Sequence, residues 1–247
     1  ISDAEEKEFL PLSLKILSGL EERHTQIFLH NKSAQTAFSS LGFDGGVKIP
    51  SCAGNCYSDW LGIVDANVGV NKANYFLERS ALLSVYLDGQ NLKRFLTISY
   101  RNSASPALGE AGRYKSYLRL LLPQGSSVND VEFTIGNSKE SQAPEITEIR
   151  GRKEAGVLVE IPAGQTKEIT FSWEEVSWLD FTQEGEYRLY VRKQAGSVGD
   201  RLGLIFFLPQ GLGITTSPKL SLTQEDGYGY NTLLTRDFFS RISWPNE

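Results

Sequence analysis

The segment "VDANVGVNKANYF", residues 64–76, sets Asp65, Asn67, Asn71, Lys72 and Asn74 among small apolar residues. Closely spaced carboxylate and amide oxygens can hold a hard cation such as calcium. A calcium loop, however, needs a denser acidic run closed by a glutamate. Here valines separate the oxygens and Glu78 lies well beyond them. A polar corner fits the pattern better, because Asn and Gly take left-handed backbone readily and Asn side chains bond the free backbone groups of turns. The five residues are expected to pin a structural junction, with Lys72 paired to Asp65 or bonded to carbonyls. No metal or cofactor is assigned to them.

Cys52 and Cys56 stand in "PSCAGNC", with three residues between them where a CxxC redox motif has two. His24 and His30 are too distant in sequence to complete a zinc set with ligand spacing. A small disulfide loop or two free thiols remain, and the disulfide is the expectation. It implies an oxidising, extracytoplasmic compartment. The two histidines fall on one face of a short predicted strand, where they could act as acid and base. No G-x-S-x-G elbow supplies a nucleophile for them. "FDGGV" and "LGEAG" lack the order of a dinucleotide or phosphate loop and read as turns. Trp173, Trp178, Tyr187 and Tyr190 could stack on sugar rings, although alternating aromatics in strands more commonly fill a core. No catalytic residue emerges, and the balance falls on a non-enzyme.

The chain must still supply elements to position these groups. Its 247 residues can bury a sizeable core, and 40% hydrophobic with 22% charged residues is ordinary for a folded protein. A net charge of −5 gives no general attraction to nucleic acid or anionic membranes. No apolar run approaches the ~20 residues of a membrane-spanning helix, so no membrane insertion is expected. The chain begins at Ile1 and contains no methionine, which reads as a processed piece or an expressed fragment of a longer protein.

Residues 4–22 predict a helix capped by Asp3, with Glu5, Glu6 and Glu8 favourably placed for its dipole and Pro11 kinking or splitting it. "TQIFLH", residues 25–30, predicts a short strand. Asn31 then caps a second helix that Gly42 stops. This order resembles the tail of an α/β unit. From Tyr75 onward the sequence turns to strands, with Asp88-Gly89 as a hairpin signal. Turn clusters recur every ~8–15 residues through "KEITFSWE" and its neighbours, giving about ten strands, the rhythm of a β-sandwich. The expected class is α+β: a helix-strand-helix remnant over 1–74, then an antiparallel, immunoglobulin-like sandwich over 75–247.

Four stretches carry a resemblance. They are "LEERHTQIFLHNKSAQTAFSSLGFDGGV", "DWLGIVDANVGVNKANYFLERS", "LTISYRN" with "YKSYLRLLLPQGS", and "YRLYVRKQAGSVGDRLGLIFFLP". In order and spacing the chain resembles the C-terminal part of the bacterial domain-of-unknown-function family 4012. The resemblance implies a cell-surface protein whose precursor is membrane-anchored near its N-terminus. Its implied partners are the upstream part of the same protein, another envelope protein, or a surface polysaccharide. The expected role is a structural or interaction module outside the cytoplasm. The alternative is the C-terminal part of a cell-wall glycopolymer-modifying transferase, which should show a cleft where charged groups converge.

Overall fold

In a computed structural model, which describes residues 3–47 and 51–246, two helices precede sixteen strands. Helix α1 spans Asp3–Glu21 and α2 spans Lys32–Leu41. The early strands are β1 (Cys56–Asn67), β2 (Leu77–Leu87), β3 (Asn91–Asn102), β4 (Tyr114–Pro123), β5 (Ser127–Val128) and β6 (Val131–Ile135). Then come β7 (Ser138–Gln142), β8 (Glu145–Ile149), β9 (Arg152–Ile161), β10 (Thr166–Val176) and β11 (Gly185–Arg192). The chain closes with β12 (Asp200–Phe207), β13 (Thr215–Ser217), β14 (Ser221–Leu222), β15 (Tyr228–Leu234) and β16 (Phe238–Trp244).

The first sheet runs β13-β16-β11-β1-β4-β9-β8, and the second runs β14-β15-β12-β2-β3-β10-β6-β7 with β5 beside β10. Alternation makes the shared core. Leu118, Leu120 and Leu122 from β4, Val157, Val159 and Ile161 from β9, and Ile169, Phe171 and Trp173 from β10 belong to one buried cluster. Side chains two apart on a strand point the same way, so each set covers one face of its sheet.

Both sheets are mixed, which corrects the expectation of an antiparallel sandwich. β1 pairs parallel with β11, and β2 pairs parallel with β12. The first strand lies in the middle of its sheet, between β11 and β4. A boundary after residue 74 would therefore cut away a central strand whose Tyr57, Leu61 and Ile63 belong to the shared core.

Local readings of the first sixty residues fare unevenly. Asn31 caps α2, its side chain accepting from the Ala34 amide, and Gly42 closes it at φ 83°. α1 is one helix with Pro11 inside it. The acidic side chains of Glu5, Glu6 and Glu8 lie outside the described ones. Residues 25–30 form no strand. They run irregularly, with the Ile27 amide donating to the Phe43 carbonyl and the Leu29 amide to the Gln35 Oε1. Their β-branched and aromatic residues met no sheet edge, and strand propensity needs a partner.

Candidate functional site

Two of the chain's passages from the first sheet to the second leave from neighbouring strands at one end. One crossing joins β1 to β2 through residues 68–76, and the other joins β11 to β12 through residues 193–199. Because β1 and β11 are parallel neighbours, and so are β2 and β12, the two crossings lie side by side. Between them opens a cleft of about 730 Å³.

Asp65 and Arg79 form its deep end. Period two places Asp65 on the inward face of β1 with Asp59 and Leu61, and Arg79 on the inward face of β2 with Ala81 and Leu83. Their side chains are only 7% and 8% exposed. Arg79 reaches Asp65 Oδ2 at 3.2 Å with Nη1 and donates to Asp200 with Nη2. Asp65 Oδ2 also accepts from the Tyr100 hydroxyl at 2.8 Å. Its Oδ1 accepts from the Tyr114 hydroxyl at 2.7 Å and from Ser116. Gln194, in the second crossing, brackets the Asp65 backbone: its Oε1 accepts from the amide at 2.9 Å and its Nε2 donates to the carbonyl at 2.8 Å.

Two donors on each oxygen fill the roughly four lone-pair positions of a carboxylate. Asp65 has no acceptor capacity left for a substrate proton. Burial and then the Asp65 charge push the Tyr100 and Tyr114 phenols well above their ordinary range. Burial works against the Arg79 guanidinium, yet Tyr100, Asp200 and Asp65 more than offset it, and its pKa lies above the arginine value.

Two similar clusters brace the rest of the molecule. Toward the start of β1, Arg94 is wholly buried and its Nε donates to Asp59 Oδ2 at 2.9 Å. The Tyr187 hydroxyl donates to the same oxygen at 2.6 Å, and Tyr57 bridges Arg94 to Glu175. On the outer face of the first sheet, Arg23 follows α1 at φ 58° and clamps Asp237, with Nε 2.7 Å from Oδ1. Tyr190 donates to the same carboxylate. The Arg23 carbonyl accepts from the Gly196 amide at 3.3 Å, so this clamp also holds the second crossing. Buried Lys193 holds it from within, its ammonium 2.6 Å from the Ser197 carbonyl.

The junction residues divide. The segment is a crossing between two sheets rather than a link from an α/β unit to a sandwich. Asn71 does most of the pinning: its Nδ2 donates to the carbonyls of Glu110 and Arg113 at 3.1 and 2.8 Å, and its Oδ1 accepts from the Ala73 amide. Asn67 is exposed, accepts from the Gly69 amide and donates to the Asn71 carbonyl. Asn74 takes a 3.4 Å bond from Asn67. Lys72 is exposed and has no side-chain partner among the described residues, so the expected pairing with Asp65 is replaced by Arg79.

The sulfurs of Cys52 and Cys56 are at disulfide distance, with Cα atoms 5.8 Å apart. His24 lies 3.4 Å from Glu22, and the His30 ring meets Phe28 edge-on; the two histidines build no common site. The four aromatics expected as a sugar platform are dispersed. Trp173 and Tyr187 are core, Tyr190 belongs to the Arg23 cluster, and Trp178 is 65% exposed beside Tyr57, its indole donating to the Cys56 carbonyl. Among the described residues no group of His, Cys, Asp or Glu could hold a metal, and no helix is long and apolar enough to cross a membrane.

Sequence reasoning missed Arg79, Asp59, Arg94 and Asp237. A signal existed for one of them, since Arg94 shares its face with Leu92, Leu96, Ile98 and Tyr100. A charge in an apolar face asks for a partner, but nothing local names Asp59, which lies 35 residues upstream.

No protein-family model and no curated protein matches the chain. Among solved structures, a candidate nutrient binding protein from Legionella pneumophila is similar over 74% of this chain and 70% of its own, at 10% identity and a TM-score of 0.45. A likeness of that degree carries no functional argument.

Proposed function

We propose that this protein is a non-catalytic structural or interaction module of a bacterial cell-surface protein, working outside the cytoplasm as its resemblance to family 4012 implies. The saturation of Asp65 carries the non-catalytic part of this reading. Charged groups do converge in the cleft, as an enzyme would require, but the deep ones converge on one another. A general base needs a free lone pair at the reacting proton, and Asp65 offers none. The cysteine pair supports an oxidising compartment. An immunoglobulin-like sandwich is part of the proposal; two facing sheets over one core support it, and the two parallel pairs weigh against it.

The test is surface exposure. Protease added to intact cells that make the protein should remove this module, and unreduced protein should show no titratable thiol. Full protection in intact cells would sink the reading.

One observation favours the transferase alternative. Asp200 keeps Oδ1 without a protein partner among the described residues while Arg79 holds Oδ2. Asp200→Asn keeps an oxygen for Arg79, so loss of a cell-wall glycopolymer with that change, at unchanged stability, would move the assignment to an enzyme.

A further inference from the structure

The polar groups of the cleft fall into two sets. The deep set of Asp65, Arg79, Tyr114 and Gln194 is bonded within the protein. The other set, Arg201, Ser80 and Ser99, alternates with core residues of β12, β2 and β3 and so lies on the outer face of the second sheet, in the outer part of the cleft lining. In the β2–β12 ladder Arg201 stands beside Ser80, and in the β2–β3 ladder Ser80 stands opposite Ser99. Three donors thus form one row across three adjacent strands, with neighbours roughly 5 Å apart at Cβ. Among the described residues none of the three side chains has a hydrogen-bond or ion-pair partner. Arg201 is exposed, and the two serines are half-buried.

We infer that this row is a binding site for an anionic group, a carboxylate or phosphate, carried on a polar ligand that fills the cleft. A guanidinium presents paired N–H donors that match such a group, and hydroxyls beside it complete the shell. None of the carboxylates around the row is paired with Arg201 among the described residues. Glu78 lies 3.8 Å from Arg101, Glu168 lies opposite Ser99 on β10, three strands away from Arg201, and Asp200 is held by Arg79. The volume suits a ligand of small-molecule or short-oligomer size. The loop 193–199, braced by Lys193 and Arg23, gives the site a preformed wall. The inference rests on the module reading in one respect, that the cleft binds its ligand without transforming it.

The experiment is a titration of the full chain followed through backbone amide resonances, at constant ionic strength. The probes are inorganic phosphate, sodium galacturonate and, as the neutral counterpart, galactose. Saturable shifts at Ser80, Ser99 and Arg201 are expected with an anion and not with galactose. Phosphate alone would identify a phosphate-bearing ligand, and galacturonate alone a carboxylate-bearing one. Arg201→Gln should weaken the binding about tenfold, while Lys93→Gln, elsewhere on the same face, should not change it. The assignment is overturned by no saturable shift with either anion, by equal binding of galactose, or by an unaffected Arg201→Gln variant. The protease test of surface exposure does not involve the cleft, so either proposal can fail alone.

Discussion

Asp59 and Asp65 sit six residues apart on the inward face of β1, and each holds a different buried arginine. At a strand's rise they stand ~20 Å apart, one toward each end of the core. A single strand thereby anchors β3 through Arg94 and β2 through Arg79. A buried ion pair is a weak contributor to net stability, but breaking one leaves an uncompensated charge.

Asp59→Asn should therefore cost about 3–5 kcal/mol, measured as a lowered urea midpoint. Replacing both Asp59 and Arg94 by leucine should recover part of that loss, because neither member of the pair is then left stranded, while Glu175 keeps its Tyr57 and Ser126 hydroxyl donors. An unchanged midpoint for Asp59→Asn would show that Arg94 does not depend on it.

Along the first crossing the three side chains should separate clearly. Asn71→Ala removes two donors and one acceptor and should cost about 1–3 kcal/mol. Asn67→Ala, at an exposed position, should cost less. Lys72→Ala should stay within about 0.5 kcal/mol of the parent. If Lys72→Ala proves the most damaging of the three in a denaturant titration, the pin has been misplaced.

Alkaline pH should unfold the protein early. Burial raises the phenols of Tyr57, Tyr100, Tyr114 and Tyr187 above the ordinary tyrosine value of 10.0, and Tyr190 is pushed up to about 12. A raised folded pKa means that the unfolded chain ionises first, so the unfolded state binds fewer protons. The associated stability is fully present below pH 10 and is lost as pH rises through the folded values. Urea midpoints taken from about pH 8 to about pH 11 should hold and then fall, and Tyr187→Phe should flatten the fall. A profile that stays level across that range would contradict the buried neutral phenols.

Shortening the chain tests where the folding unit begins. Residues 75–247 lack β1, so β4 and β11 lose their shared neighbour and both Arg94 and Arg79 lose a partner. No cooperative melt is expected. Residues 51–247 keep β1 but lose the Arg23 clamp on Asp237, and should melt cooperatively at a lower temperature. Cooperative melting of 75–247 would place the boundary at residue 74.

Local pattern carried much of the sheet content. The triplets of β4, β9 and β10 are buried as their spacing requires, and Asp88-Gly89 turns β2 into β3 with Gly89 at φ 87°. Such signals lie within ten or so residues. The order of strands does not. β1 meets β11 by pairing Cys56 with Glu186, a choice made by the fit of two distant surfaces. The candidate site was hidden for the same reason. Asp65 was visible as a polar residue in an apolar run, whereas Arg79, Tyr100, Tyr114 and Gln194 converge on it from four other segments. The 25–30 segment shows the reverse error, strong strand character with no edge to join.

The parallel neighbours at the centre of both sheets set a timetable. β1 waits for β11, and β2 waits for β12, whose register begins at Ser80 with Arg201. A chain made from its N-terminus therefore carries two open central edges until residues 185–207 arrive. Long-range pairing of this kind folds slowly and leaves strand edges free to pair with other chains. The last quarter of the sequence thus decides when the first strands stop being a hazard, and truncated products should aggregate rather than accumulate as partly folded monomers.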